Sequence, residues 1–239
     1  MPFPLAHPAA ILPLRRFCPR FLSFPALVAG SISPDTGYLF GGLGVDVYSH
    51  KLVPGTFFGV ISGLVLLAVY WWAGPRVLPL LARPSREMLR PLLVIKMPPT
   101  FPLLLSLAIG VWSHLLLDSF THSQGWLVRH SALLQTPVFM IYNHAIRVCH
   151  LLWYGFSFAG IAWLILATRQ WLEDQRTGNE VVKKKWHLWE ALLGAALILP
   201  IEIIHHLARS RAALVVVAAL SLGCVVVVAG RMVRARQAG

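Results

Sequence analysis

Trp112-Ser113-His114-Leu115-Leu116-Leu117-Asp118-Ser119-Phe120-Thr121-His122 closes an apolar stretch that opens at Phe101, and it sets a histidine, a carboxylate and a second histidine at successive four-residue steps. On a helix those three side chains share one face. Residues 101–118 are long enough to cross a bilayer. Ionisable groups near the end of such a span are costly unless paired, hydrated or bound to a metal. His114, Asp118 and His122 are therefore the first candidates for chemistry, and the helix that carries them decides the fold class.

Outward from that helix the chain has the composition of a membrane protein. Of 239 residues, 57% are hydrophobic and 13% charged, with a mean hydropathy of +0.68. Stretches of the length needed for a hydrocarbon core of roughly 30 Å run over residues 56–73, 101–118, 149–167, 188–204 and 212–230. The expected fold is an all-α integral membrane bundle with about five transmembrane helices. Residues 1–167 form the expected membrane-embedded site domain, and 168–239 a transmembrane hairpin with basic loops. A further apolar piece, 21–32, is too short to span and carries Pro25 and Gly30, so it reads as an interfacial or half-buried helix.

The formal charge of +12 lies between and beside the apolar spans rather than on a soluble domain. Membrane lipid is the partner this implies, and no nucleic acid is expected. Five spans place 13 of the 21 Lys and Arg residues on one side, in segments 74–97 and 169–187 and at the tail. The positive-inside rule makes that side cytoplasmic and the opposite side, with His114 and Asp118 at its edge, extracytoplasmic. Cys18, Cys149 and Cys224 form no CxxC and lie in or beside apolar sequence, which argues against a zinc ribbon or a disulfide framework. The first residues lack the basic start and long apolar centre of a secretory signal, so they are expected to stay on the mature protein.

The same topology brings the N-terminal segment, the start of the first span, the end of the second and the 119–148 loop to one membrane face. His7, Asp35, His50, His114, Asp118 and His122 converge there. Each has a bland alternative. His114 and Asp118 could close a helix end by a hydrogen bond instead of chelating. Asp35, in Ser33-Pro34-Asp35-Thr36-Gly37, sits in a turn, where aspartates usually bond their own backbone. His50, with Asp46 one helical turn before it as a further ligand or supporting partner, could be an interfacial residue. His7 is in a proline-flanked segment that excludes regular helix. Gly41-Gly42-Leu43-Gly44 lacks the strand and lysine of a phosphate loop and reads as a bend.

The opening MPFPLAHPAAILPLRR, the SPDTGY turn, the SHKL segment and SHLLLDSFTHSQGW resemble a bacterial membrane family of unknown function whose members open with MPFTLSHPA. The chain is also similar to the YdjM-like membrane-bound metal-dependent hydrolases and, more distantly, to the all-helical zinc phospholipase C and single-strand nuclease superfamily. The resemblance covers residues 1 to about 165. It implies one zinc held by Asp35, His50, His114 and Asp118, and a second that Asp118 shares with His7 and an N-terminal amine. That amine would be Pro2 once the methionine is removed. His122 would correspond to the start of a third metal site, but no later histidine here is followed at four residues by Asp or Glu, so one or two ions are expected.

Other residues carry less. His144, Arg147 and His150 could bind an anionic substrate or snorkel at the interface. Glu202 shares a face with His205 and His206, as an intramembrane functional carboxylate or a structural pair, and Lys183 to Lys185 suit topology and lipid headgroups. The resulting expectation is a bacterial inner-membrane, metal-dependent hydrolase of a phosphoester or lipid-linked substrate. Its cofactor is a divalent metal, zinc before manganese or iron, activating a water. The alternative is a non-enzymatic metal-binding scaffold or transporter component with a structural metal or a His/Asp hydrogen-bond network.

Overall fold

The computed structural model describes residues 4–81, 83–94, 96–141 and 144–176. The expected spans 188–204 and 212–230, with Glu202, His205, His206 and Lys183 to Lys185, lie outside the described residues, as does the Pro2 amine. The chain divides into two compact units, Met1–Leu66 with Pro98–Leu164 and Leu67–Met97 with Ile165–Gly239.

The first unit is all-helical apart from one hairpin. A 3-10 turn leads to α1 (Pro8–Ile11), whose proline stands where a helix needs no N–H. The segment around His7 was expected to exclude regular helix, yet His7 immediately precedes this single helical turn. After a second 3-10 stretch comes α2 (Phe24–Ile32), then the 3-10 segment Ser33–Leu43 and α3 (Val45–Ser49). Three longer helices follow in the chain: α4 (Leu52–Val77), α6 (Thr100–Thr121) and α9 (Val148–Arg176), with the short α5 (Arg83–Leu93) between the first two. Helices α7 (Trp126–His130) and α8 (Ala132–Gln135) lead into an antiparallel hairpin, β1 (Pro137–Ile141) with β2 (His144–Arg147), in register Phe139 to Ile146 and Met140 to Ala145.

Three helical stretches, Leu52–Leu80, Thr100–Thr121 and Val148–Trp171, are long and apolar enough to cross a membrane. Each runs past the expected ends, because a helix continues into the headgroup region where hydropathy falls. Their faces are arranged for an apolar solvent. On α4, Phe57, Ile61, Val65, Val69 and Trp72 form an exposed stripe, while Gly59 and Gly63 turn toward Val111 and Leu107 of α6. On α6, Phe101, Leu104, Trp112 and Leu116 are exposed, while Ser106, Gly110, His114 and Asp118 are buried. Small and polar groups inside with apolar groups outside is the pattern of helices packed in lipid.

Helix α2 is fitted tightly against α6. A Cβ on Gly30 would collide with the Leu107 carbonyl, and one on Gly110 with the Leu27 carbonyl and the Ser31 amide. The Ser106 hydroxyl of α6 accepts from the Ser23 amide at the start of α2, at 2.8 Å. That bond satisfies a donor the helix leaves unpaired. Ile11, Leu22 and Leu27 form a buried cluster with Leu105 and Ile109 against it. The N-terminal segment is thereby held on the membrane helices, which is what brings His7 to the site.

Candidate metal centre

The centre is assembled from five places in the chain. His7 precedes α1, Asp35 lies in the 3-10 segment after α2, His50 caps α3, His114 and Asp118 are one turn apart on α6, and His122 is the first residue beyond that helix. At His122 the backbone is already extended, so its ring leaves the α6 face and its Nδ1 lies 3.2 Å from the Asp118 carbonyl.

His50 Nε2 and His114 Nε2 each lie 3.4 Å from Asp35 Oδ1 and 3.4 Å from Asp118 Oδ2. The other oxygen of Asp118, Oδ1, faces His7 Nε2 at 3.7 Å and His122 Nδ1 at 3.5 Å. The ligand atoms of Asp35, His50 and His114 fall within 4.8 Å of one another, as do those of His7, His114 and Asp118. The His7 ring stacks on that of His114, with centroids 3.8 Å apart. Sequence reading grouped these six residues, and the structure brings all six together.

Eight buried atoms of the centre have no hydrogen-bond partner. Both oxygens of Asp35 and of Asp118, both nitrogens of His7, and Nε2 of His50 and of His114 are buried and unsatisfied. Buried carboxylates without partners are strongly disfavoured. The turn around Asp35 is closed instead by the Thr36 hydroxyl, which donates to the Ser33 carbonyl at 2.7 Å, so the expected Asx role of Asp35 is absent.

The outer nitrogens of the two central rings are fixed. His114 Nδ1 lies 2.8 Å from the Ser31 carbonyl, and His50 Nδ1 lies 2.8 Å from the Asp46 carbonyl, with the Ser49 hydroxyl 2.9 Å away. A carbonyl only accepts, so each Nδ1 carries a proton, and each Nε2, aimed at the centre, is the ring atom left to bind an ion. Asp46 thus supports His50 through its backbone carbonyl. Sequence reading missed Ser31 and Ser49. A backbone carbonyl leaves no side-chain signal, and Ser49 was legible only as a neighbour of His50.

Burial pushes the His7 pKa well below 6.5, and the neighbouring His114 adds to the shift. Burial likewise lowers His122 to about 4, against the pull of Asp118. Both rings are therefore neutral at neutral pH. Outside the centre, His130 is exposed, with Nδ1 2.7 Å from the Trp126 carbonyl, and His150 Nδ1 accepts from the Arg147 amide at 3.2 Å.

The buried His/Asp groups have the donor types, orientation and lack of other partners that a metal ion requires. No curated protein and no solved structure matches the chain. A family does: residues 1–235 match the one described as Domain of unknown function (DUF4184), and the chain belongs to that family.

Proposed function

We propose that the protein is an integral protein of the bacterial inner membrane that holds one or two divalent ions, zinc first among them, and uses them to hydrolyse a phosphoester or lipid-linked substrate. The observation that carries the metal reading is the spacing. Ligands at 2.0 to 2.2 Å from a tetrahedral zinc are separated by about 3.3 to 3.6 Å, and four His–Asp pairs here stand at 3.4 Å. A hydrogen-bonded network would close to about 2.7 to 3.2 Å. The carboxylate oxygens of Asp35 and Asp118 and the Nε2 atoms of His50 and His114 make no such bonds.

Asp35, His50, His114 and Asp118 would hold the first ion, and Asp118 Oδ1 with His7 a second, with His122 beside it. A bound ion supplies an acidified water and charge stabilisation on an attacked phosphoryl oxygen. The neutral ring of His7 offers its lone pair without first shedding a proton, and the burial of His7 and His114 excludes bulk water from that side. The hydrolytic assignment and the kinship with the YdjM-like hydrolases rest on the order of the ligands, Asp, His, then His-x-x-x-Asp. The extracytoplasmic placement rests on the distribution of basic residues.

One observation favours the non-enzymatic reading. Asp35, His50, His114 and Asp118 would give an ion at the first position four protein ligands, the closed arrangement of a structural zinc, whereas a catalytic zinc keeps one place open. Any open place belongs to the second position, so His7 separates the readings. The test is metal analysis of the purified protein followed by a phosphomonoester, phosphodiester and phospholipid screen. A hydrolase shows metal-dependent turnover that His7→Ala removes together with one ion. Metal-loaded protein inactive on every class would leave the scaffold.

A further inference from the structure

We infer that the end of α4 and the C-terminal end of α5 form a seat for one anionic phospholipid, separate in its residues from the metal centre. Trp71, Pro75, Leu93, Val94 and Met97 line a cavity of about 280 Å³. The helices meet closely beside it, since a Cβ on Gly74 would collide with the Leu93 carbonyl. Every lining side chain is apolar except for one group: Trp71 Nε1 is buried and has no hydrogen-bond partner. A buried indole N–H normally finds an acceptor. Within this cavity the acceptor has to come with the occupant.

Depth and charge identify the occupant. Leu52 to Trp71 is 20 residues of helix, or about 30 Å at 1.5 Å per residue, the thickness of the hydrocarbon core. Tyr70, Trp71 and Trp72 then stand where aromatic residues mark the boundary, and Arg76 follows with its guanidinium 4.5 Å over the Trp72 ring. An apolar cavity at that depth faces acyl chains on one side and headgroups on the other.

Helix α5 supplies the headgroup side. Arg86, Glu87 and Arg90 fall on one side of the helix and Leu89 outside that arc, so a charged edge borders apolar residues, as on a helix lying in the interface. Arg86 donates to the Leu81 and Pro79 carbonyls and anchors the helix. Arg90, one turn before Val94, and Lys96, next to Met97, are exposed. A phosphate beside them completes the charge, an acyl chain fills the cavity, and an ester or phosphate oxygen accepts from Trp71 Nε1.

The test uses the full chain in nanodiscs containing, at equal mole fraction, either phosphatidylglycerol or phosphatidylcholine brominated on one acyl chain, with tryptophan emission as the readout. Brominated phosphatidylglycerol is expected to quench more than brominated phosphatidylcholine. The excess should fall at least twofold in Trp71→Phe, in Val94→Phe, which fills the cavity, and in the pair Arg90→Gln, Lys96→Gln. It should survive the pair Arg90→Lys, Lys96→Arg. Equal quenching by the two lipids in the wild-type protein would overturn the proposal. So would an excess that vanishes with the charges but is unchanged in Val94→Phe and Trp71→Phe, because that is headgroup attraction without a seat.

Discussion

Asp118 faces four histidines with its two oxygens, Oδ2 toward His50 and His114 and Oδ1 toward His7 and His122. Asp118→Asn keeps the shape but replaces an acceptor with an NH2 donor, so metal affinity should fall by more than the roughly 10- to 100-fold typical of losing a supporting contact. The membrane fold should persist, as judged by circular dichroism in detergent. Ser49→Ala is the milder case, expected at about tenfold or less, because the Asp46 carbonyl still holds the His50 ring. Proton binding gives an independent check on the metal-free protein. His122 titrates near 4 and an exposed imidazole near 6.5, so between those values the unfolded chain binds a proton that the folded one refuses. The site region should lose stability as pH falls through that window, and the His122 ring signals in NMR should not move between pH 8 and 6. A midpoint near 6.5 would contradict its burial. At this scale the ligand order was legible because each donor is a side chain. The Ser31 carbonyl was not, because any residue at that position would provide it.

Helix α2 has the half-buried character that residues 21–32 suggested, a stretch too short to span, with Ala26, Leu27 and Ala29 buried. The structure adds what Pro25 and Gly30 do in it: Pro25 sits in the first turn, where no N–H is needed, and Gly30 permits contact with the Leu107 backbone. That contact also sets the Ser31 carbonyl against His114. Gly30→Ala and Gly110→Ala should therefore each cost about 1 to 3 kcal/mol through overpacking, and should weaken metal binding more than a lipid-facing control such as Ile61→Ala. Thermal unfolding in detergent and metal titration measure the two effects. Equal metal affinity in all three variants would separate the helix contact from the site. The hairpin Pro137–Ile141 with His144–Arg147 was not legible in the sequence. Pro137-Val138-Phe139-Met140-Ile141 is apolar at every position, and without alternation it carries no two-residue period.

Within the first unit, Gly30, Gly59, Gly63 and Gly110 sit at helix contacts, and His7, His114 and Asp118 are buried beside Leu107 and Val111; these close contacts are what let a short N-terminal segment contribute His7 and Asp35 to a centre on a membrane helix. The all-α class and three membrane-length helices were legible from hydropathy alone, since a long apolar run leaves few other options. Orientation is tested in a background with Cys18, Cys149 and Cys224 replaced by alanine. A membrane-impermeant thiol reagent applied to intact cells should label Arg129→Cys and spare Lys96→Cys, and the reverse pattern would invert the assigned topology. X-ray absorption on the purified full chain, with its metal content counted, decides whether the buried carboxylates and imidazoles are metal ligands. The expected result is at least one divalent ion per chain with mixed nitrogen and oxygen ligands at about 2.0 to 2.2 Å, two of them imidazoles, and loss of that ion in the His114→Ala, Asp118→Asn double variant. Folded protein that stays metal-free when metal is supplied, or a double variant with unchanged metal content, would contradict it.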